Sequence, residues 1–292
     1  MVMSEQEFMD APILSSLGPE PWNAPWWKPA KGELSVLLYV VTIHLLAVAG
    51  LILYPLPGWR IGLITLAVAW VGGMGVTICY HRSIAHGSLR LHPVLRHVLI
   101  FFAMFNGSGA PPSWTANHRQ HHSRVETRED ISSPWIGGFW WAHLRWLWQT
   151  GQVPLDRWCP DLDKPEYRFW TTVQIPVVAL SVFGGLIFGP AAFFWFGPIR
   201  LVYALHAQCF INSSAHMRAG RKDGEDSSQN LVWLGVMQFF QGESWHGNHH
   251  AKPASAQFGW RSWQIDFGWY AIAILEKLGL ATKVRRPSAI HD

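Results

Sequence analysis

Long uncharged stretches dominate the hydropathy pattern of this chain. Residues 34–59 and 61–81 contain no Asp, Glu, Lys or Arg, and each is long enough for the roughly 20 apolar residues that a helix needs to cross a bilayer. A third uncharged run covers 169–199, and after Arg200 another extends to Met217. Two Gly-Pro pairs in this region are turn signals, so it predicts a helical hairpin.

These runs predict an all-α integral membrane protein. A soluble protein with unusually apolar core helices is the alternative, but several such runs are difficult to bury in one chain without lipid. We expect four transmembrane helices, at about 34–54, 61–80, 169–188 and 197–216. Residues 1–33 are predicted to be a lead-in on the membrane surface. Residues 34–292 are predicted to form one membrane domain with a helical cap.

The distribution of positive charge predicts the orientation. Of the 23 Lys and Arg residues, 21 fall in segments that four crossings place on one face. The positive-inside rule makes that face cytoplasmic, with both termini on it, and the membrane is the inner one if the source is bacterial. Anionic lipid headgroups, rather than nucleic acid, account for the basic balance. The two basic residues outside these segments are Arg60 and Arg200. Arg200 falls within a predicted span, so we expect it to snorkel or to be paired inside the bundle.

Histidine spacing supplies the candidate chemistry. Nine of the 15 histidines form the clusters HxxxxH and HxxHH (twice) and one single position. The nine are His81, His86, His118, His121, His122, His216, His246, His249 and His250. Positions i, i+3 and i+4 share a helix face, so each HxxHH cluster can aim three imidazoles at one point. Neutral imidazole is a common ligand of iron, copper and zinc.

Nine ligands exceed what one metal ion takes, so the count predicts two ions held close together on the cytoplasmic side. The other six histidines are expected to be packing, interfacial or solvated residues. They are His44, His92, His97, His143, His206 and His291.

The scattered cysteines form no disulfide framework, and Cys79 and Cys209 are expected to be buried, inert thiols.

Four segments resemble the motifs of a known family. They are Tyr80–His86, Asn117–His122, Ile211–His216 and Gly242–His250. In combination and order they resemble the membrane fatty acid desaturases, of the stearoyl-CoA (delta-9) type and including bacterial members. The resemblance extends from about Gly73 to Gly279.

The resemblance implies a four-helix bundle with a cytoplasmic cap in which the nine histidines hold two irons. It implies that Asn212 reaches one iron through a water and that Trp114 lines the bend of a buried acyl tunnel. The implied reaction uses O2 to place a cis double bond in a saturated acyl chain. No cytochrome domain is fused, so electrons are expected from a separate ferredoxin or cytochrome with its reductase.

Further residues are candidates at this site. Asp130 and Glu243 stand beside the clusters, where they either orient imidazoles or are ordinary surface charges. Ala69 and Gly73 are small where bulk can close the tunnel, and Gln208 stands where a threonine is usual. The stretch 149–152 lacks the basic pair that suits CoA phosphates. The acyl carrier is therefore CoA, acyl carrier protein or a membrane lipid.

Two other functions stay open. A related di-iron hydroxylase or acetylenase differs from a desaturase only in how the substrate is placed. A membrane metal transporter or metal store is a different class, and it would place histidines or carboxylates within the spans along a path. Apart from His216 at the end of the fourth, only His44 and His206 lie inside the predicted spans, which argues against transport.

Overall fold

The computed structural model of the chain describes residues 20–220 and 225–287. Residues 1–19 of the predicted lead-in and His291 lie outside the described residues. The described residues are mostly helical. The helices longer than seven residues are α1 Leu34–Leu53, α2 Trp59–Met74, α3 Pro93–Phe105, α4 Pro111–Arg124, α5 Pro165–Thr172, α6 Gln174–Phe183, α7 Arg200–Asn212 and α8 Phe267–Lys277, with a π-helix at Gly75–Ala85.

Short elements connect these helices. The π- and 3₁₀-segments are Pro21–Asn23, Trp141–Arg145, Pro160–Leu162, Gly184–Phe188, Trp195–Ile199 and Ser214–His216, and the short α-helices are Pro134–Gly137, Trp146–Gln149, Leu155–Trp158, Pro190–Phe194, Val232–Met237 and His246–Ala251. Two antiparallel strands, Arg90–Leu91 and Ala281–Thr282, join the end of the described chain to the segment after the π-helix.

Within residues 20–220 and 225–287, two helices are long and apolar enough to cross a membrane. They are α1 and the continuous helix Trp59–Ala85, which contains α2 and the π-helix. A third is added if α5 and Gln174–Phe188, bent by 43° relative to each other, count as one span. Side chains on their outer faces are strongly exposed, such as Ile52 at 72% and Ile187 at 81%. Such apolar faces suit contact with lipid.

The predicted fourth span corresponds to consecutive helical segments from Pro190 to Asn212. Arg200, His206 and Gln208 interrupt its apolar sequence, and it does not reach the apolarity of the other candidates. The described part of the chain therefore supports two or three candidate spans, and the expected fourth is not confirmed.

Arg200 is paired inside the bundle, one of the two outcomes expected from the sequence. Its side chain is 1% exposed. It donates to the Asn106 Oδ1 atom at 2.7 Å, to the Ser181 hydroxyl and to the main-chain oxygens of Phe105 and Phe196. Because every one of these acceptors is neutral, the guanidinium connects α3, α6 and α7 through hydrogen bonds without an ion pair.

The π-helix positions the first histidine cluster, because His81 lies within it and His86 follows its last residue. Gly75 begins it, and a Cβ at this position would overlap the main chain at Leu99, so the glycine permits close crossing with α3. At its far end the buried Arg82 donates to Asp266 at 2.8 Å and to the Ala256 carbonyl. This ion pair ties the C-terminal segment to the π-helix.

Candidate metal centre

The nine predicted histidines lie together in two adjacent groups. The first group is His81, His86, His118, His122 and His249, and the second group is His121, His216, His246 and His250. Within each group the ring nitrogens that could bind a metal lie within 4.8 Å of one another. The rings of His122 and His250, one from each group, stack with centroids 4.4 Å apart. The two groups are therefore neighbours.

Each HxxHH cluster is divided between the groups. On α4, His118 and His122 enter the first group and His121 enters the second. On the helix His246–Ala251 the division is reversed, since only the middle histidine enters the first group. The expectation that one cluster aims three imidazoles at one point is therefore wrong. An α-helix turns by about 100° per residue, so position i+4 lies about 40° to one side of position i and position i+3 lies about 60° to the other side. The first and last histidines of each cluster therefore stay together, and the middle one points to the other group.

The ring nitrogens within each group approach one another through Nε2. The Nε2–Nε2 distance is 2.9 Å for His81–His249, and it is 2.8 Å for both His86–His118 and His216–His246. Ligands at right angles around one ion, each at the ~2.1 Å of a metal–imidazole bond, lie about 3.0 Å apart. The three distances therefore match edges of two coordination polyhedra, two edges in the first group and one in the second.

Unpartnered nitrogens point to the same conclusion. His121 and His250 are held at Nδ1 by carboxylates, and their buried Nε2 atoms have no hydrogen-bond partner among the described residues. A buried polar atom without a partner is costly. Because Nδ1 carries the proton that each carboxylate accepts, Nε2 offers a lone pair. The residues of both groups thus fit metal ions.

Four carboxylates accept hydrogen bonds from the outer nitrogens of the groups. The pairs are His81–Glu243 at 2.7 Å, His121–Asp130 at 3.0 Å, His216–Glu126 at 3.1 Å and His250–Asp226 at 2.8 Å. Such bonds fix the tautomer and the orientation of a metal-binding imidazole. The structure places Asp130 and Glu243 at this distance, as the orienting role requires.

Sequence reasoning missed Glu126 and Asp226. Glu126 stands four residues after His122 in the turn that ends α4, with φ at +60°. Its buried carboxylate also accepts from Ser133 and Ser227. Asp226 belongs to a charged segment that looks solvated in the sequence. Of these two carboxylates, only Glu126 could have been noticed in the sequence, because it lies close to a histidine cluster.

The electrostatics keep most of the imidazoles neutral. Burial, followed by repulsion from neighbouring histidines, holds the pKa of His118, His122 and His249 well below the usual value. Burial also acts to lower the pKa of His121, but the charge and hydrogen bond of Asp130 outweigh it and raise that pKa. Neutral imidazole is the form that binds metal.

The other candidate residues take these positions. Asn212 is the last residue of α7, four residues before His216. The indole of Trp114 stacks on the ring of His118, with centroids 4.9 Å apart. Gln208 hydrogen-bonds Ser108 at 2.9 Å.

The small residues on α2 are packed against polar side chains. The carbonyl of Ala69 accepts from the Asn106 amide at 3.2 Å. A Cβ at Gly73 would overlap the Gln241 amide, which donates to the carbonyl of Trp70. The space beside Gly73 is thus occupied by a polar side chain.

Three histidines that were expected to be packing residues form a separate chain of hydrogen bonds. The Nε2 atoms of His44 and His206 are 3.0 Å apart, and His206 Nδ1 lies 2.8 Å from His143 Nε2. His143 Nδ1 lies 3.0 Å from the Ser213 hydroxyl. The ring of His206 separates the other two, so the three do not converge on one point. The expectation for these histidines is confirmed.

Comparisons with known proteins agree with this geometry. The family model for fatty acid desaturases matches residues 57–273. The chain is 36% identical over 274 residues to delta-9 acyl-lipid desaturase 1 of Arabidopsis thaliana, covering 91% of this chain and 87% of the relative. It is 33% identical over 273 residues to icosanoyl-CoA 5-desaturase of Limnanthes douglasii, covering 90% and 74%.

A cyanobacterial relative is similar as well. The chain is 31% identical over 236 residues to the sn-2 palmitoyl-lipid 9-desaturase of Nostoc sp. (strain 36), covering 77% of this chain and 81% of that protein. The family model covers the part of the sequence that contains all nine histidines. The chain therefore belongs to the fatty acid desaturase family, is similar to its delta-9 members, and is an oxidoreductase of lipid metabolism.

Proposed function

We propose that the protein is a di-iron, O2-dependent desaturase that introduces a cis double bond into a saturated fatty acyl chain. The observation that carries this proposal is the pair of neighbouring groups of five and four imidazoles. When bound, two irons together with O2 supply the oxidising power to remove hydrogen from two adjacent unactivated carbons. Imidazole nitrogen is a suitable ligand for iron.

The chain's own residues would hold and orient this centre. The first group offers five imidazoles and the second offers four. Asn212 lies one helical turn before His216 of the second group, so we assign its water-mediated contact to that ion. The four carboxylates keep Nδ1 protonated on their histidines and thereby leave Nε2 free for the metal.

The reaction consumes O2, two electrons and two protons for each double bond and releases two waters. Electrons must come from a separate donor, a ferredoxin or a cytochrome with its reductase. A saturated chain offers no polar handle along its middle, so its position must be set by the shape of an apolar path. We propose that Trp114, Gln208 and Ala69 line that path. Gly73, also a candidate from the sequence, faces the Gln241 amide instead.

A membrane lipid is the acyl carrier that we favour over CoA or acyl carrier protein. Gln149, in the stretch that lacks a basic pair, donates instead to the main-chain oxygens of Pro25 and Lys28. That region therefore holds the N-terminal segment, and the stretch 149–152 itself carries no positive charge for phosphates. Two of the relatives described above are named as lipid desaturases.

The membrane arrangement is also part of the proposal. We infer four crossings, with Pro190–Asn212 as the fourth, and with both termini and the metal centre on the cytoplasmic side. The support is the clustering of 21 of 23 Lys and Arg residues on that side. In a bacterial source the location would be the inner membrane.

Product analysis tests the proposed function. Fatty acids from cells that express the protein would be compared, by gas chromatography–mass spectrometry, with those from cells that express His249→Ala or His92→Ala. His249 belongs to the first group, whereas His92 is exposed and outside both groups. We expect a new double bond with the unaltered protein and with His92→Ala only.

Other products would change the conclusion. A hydroxylated or triple-bonded acyl chain would identify a related hydroxylase or acetylenase. Unchanged desaturation with His249→Ala would contradict the metal assignment. Iron accumulation in the cells without any new lipid product would favour the metal transporter or store.

A further inference from the structure

The carboxylates that contact the histidines are divided unequally between the two groups. The second group has three such partners, namely Glu126, Asp130 and Asp226. Within residues 20–220 and 225–287, the first group has one, Glu243 on His81. The two groups therefore differ more in surrounding negative charge than in the number of their imidazoles.

Burial makes this difference effective. The side chains of Glu126 and Asp130 are 0% exposed, and that of Asp226 is 39% exposed. The oxygens of Glu126 and Asp226 both lie within 4.8 Å of a ring nitrogen of His216. The charges of Glu126 and Asp130 are in a water-poor environment, where they interact more strongly and are less screened by salt than surface charges.

Among the described residues, the arginines near the two groups are themselves paired with carboxylates. Near the second group, Arg218, two residues after His216, pairs with Glu225. Beside the first group, Arg82 is paired with Asp266 and Arg119 with Asp161. Each pair is neutral as a unit. Hydroxyl and main-chain donors to the carboxylates, such as Ser133 on Glu126, disperse part of the charge but do not remove it.

An excess of negative charge stabilises the more highly charged state of an ion. Reducing iron from the ferric to the ferrous state adds one electron and removes one unit of positive charge. A carboxylate bonded to the outer nitrogen of an imidazole also makes that ligand more basic. Both effects oppose reduction at the second group more than at the first.

We propose that Glu126, Asp130 and Asp226 are positioning residues that hold the iron of the second group at a lower reduction potential than the iron of the first. The first electron from the external donor therefore reduces the first-group iron, and the second electron reduces the second-group iron. No proton is needed to balance either step. This inference rests on the proposed function, because it concerns the iron centre assigned there.

A potentiometric titration tests the order of reduction. The full chain in lipid nanodiscs would be loaded anaerobically with ⁵⁷Fe²⁺, oxidised, and titrated with mediators while Mössbauer spectra are recorded. Asp226→Asn and Glu126→Gln each remove one charge at the second group, and Glu243→Gln removes one at the first. Asp163→Asn is the matched control, because that exposed carboxylate pairs with Arg168 and touches neither group.

We expect two one-electron steps in the unaltered protein. Asp226→Asn and Glu126→Gln should each increase the equilibrium constant for reduction in the step of lower potential at least tenfold. This corresponds to a rise of about 59 mV in that one-electron potential. The potential of the upper step should stay the same. Glu243→Gln should raise only the upper step, and Asp163→Asn neither. If Glu126→Gln does not fold, the partly exposed Asp226→Asn still decides the question.

Several results would overturn the inference. These are coincident steps in the unaltered protein, a lower step that Asp226→Asn leaves in place, or a lower step that Glu243→Gln raises. Because the titration needs no turnover, its failure differs from failure of the proposed function. Shifts as expected in a protein that makes no double bond would refute only the desaturase proposal, and a chain that binds no iron would refute both.

Discussion

Arg119 and Asp161 form a bidentate ion pair, with Nη1–Oδ1 at 2.6 Å and Nη2–Oδ2 at 3.0 Å. The same guanidinium donates to the carbonyls of Ile84 and Ala85 at the end of the π-helix and to that of Trp158. Arg119 thus joins α4, the π-helix and the loop at 158–161. Because His118 precedes it and His86 follows the π-helix, this contact sets the spacing of two histidines in the first group.

Replacing Arg119 with Lys should destabilise the protein by about 1–3 kcal/mol, because an ammonium cannot make the planar set of bonds and leaves buried carbonyls unpaired. The thermal midpoint of the protein in detergent, together with its bound iron, would measure the effect. Arg168→Lys is the control, since its pair with Asp163 is exposed and contributes only ~0–1 kcal/mol. Equal midpoints for the two variants would contradict the role of Arg119.

A second prediction concerns the three hydrogen-bonded histidines His44, His206 and His143. The Val40 carbonyl can only accept, so His44 donates to it through Nδ1 and accepts from His206 at Nε2. Neutral His206 then accepts at Nδ1 from His143. Each hydrogen bond between these rings can therefore form with all three imidazoles neutral, because His143 donates to His206, His206 donates to His44 and His44 donates to the Val40 carbonyl.

Replacing His206 with Leu should cost roughly 1–3 kcal/mol for each ring nitrogen left unpaired. Thermal unfolding in detergent would show the loss, and His92→Leu, at an exposed position, should change stability by only ~0.5 kcal/mol or less. The iron content of folded His206→Leu should equal that of the unaltered protein, because His206 is in neither group. Loss of iron from a His206→Leu protein that remains folded would mean that these three hydrogen-bonded histidines influence the metal centre.

The sequence was most informative where the determinants are local. The i, i+3 and i+4 spacing identified the histidines, and the uncharged runs identified α1 and Trp59–Ala85 as candidate spans. The division of each HxxHH cluster between two groups depends on how α4 and the helix His246–Ala251 are rotated against their neighbours, which spacing alone does not specify. Asp226 reaches His250 from 24 residues away in the chain, so tertiary structure alone reveals that contact.

Cysteine reactivity provides a third prediction. Cys79, Cys159 and Cys209 are free and buried, so Cys79 and Cys209 are buried as expected, and their inertness stays a prediction. Burial, opposed in part by Arg119, raises the pKa of Cys159 to about 11. At pH 8 it is therefore almost entirely protonated and unreactive.

Iodoacetamide at pH 8 should accordingly modify none of the three thiols in the folded protein and all three in denaturant. Mass spectrometry of the digested protein would report each site separately. Rapid alkylation of Cys159 before unfolding would show that the loop at 158–161 opens in solution.

The lowered histidine pKa values determine how acid affects the metal centre. His118, His122 and His249 have pKa values well below the ~6.5 of an unperturbed imidazole, because they are buried and surrounded by other histidines. The unfolded chain therefore binds more protons than the folded chain once the pH falls below about 6.5. The stability that these neutral imidazoles contribute is present above that pH, and it is lost progressively as the pH falls towards their folded-state pKa values.

Bound metal should follow the same course, since a proton displaces it only when the folded ligand can be protonated. We expect equal iron content after dialysis at pH 7.5 and pH 6.0, and at lower pH a loss of iron that parallels loss of folded structure. Elemental analysis and circular dichroism on the same samples would measure the two. Iron release centred near pH 6.5 in a fully folded protein would show that the ligands titrate as exposed imidazoles, contrary to their burial.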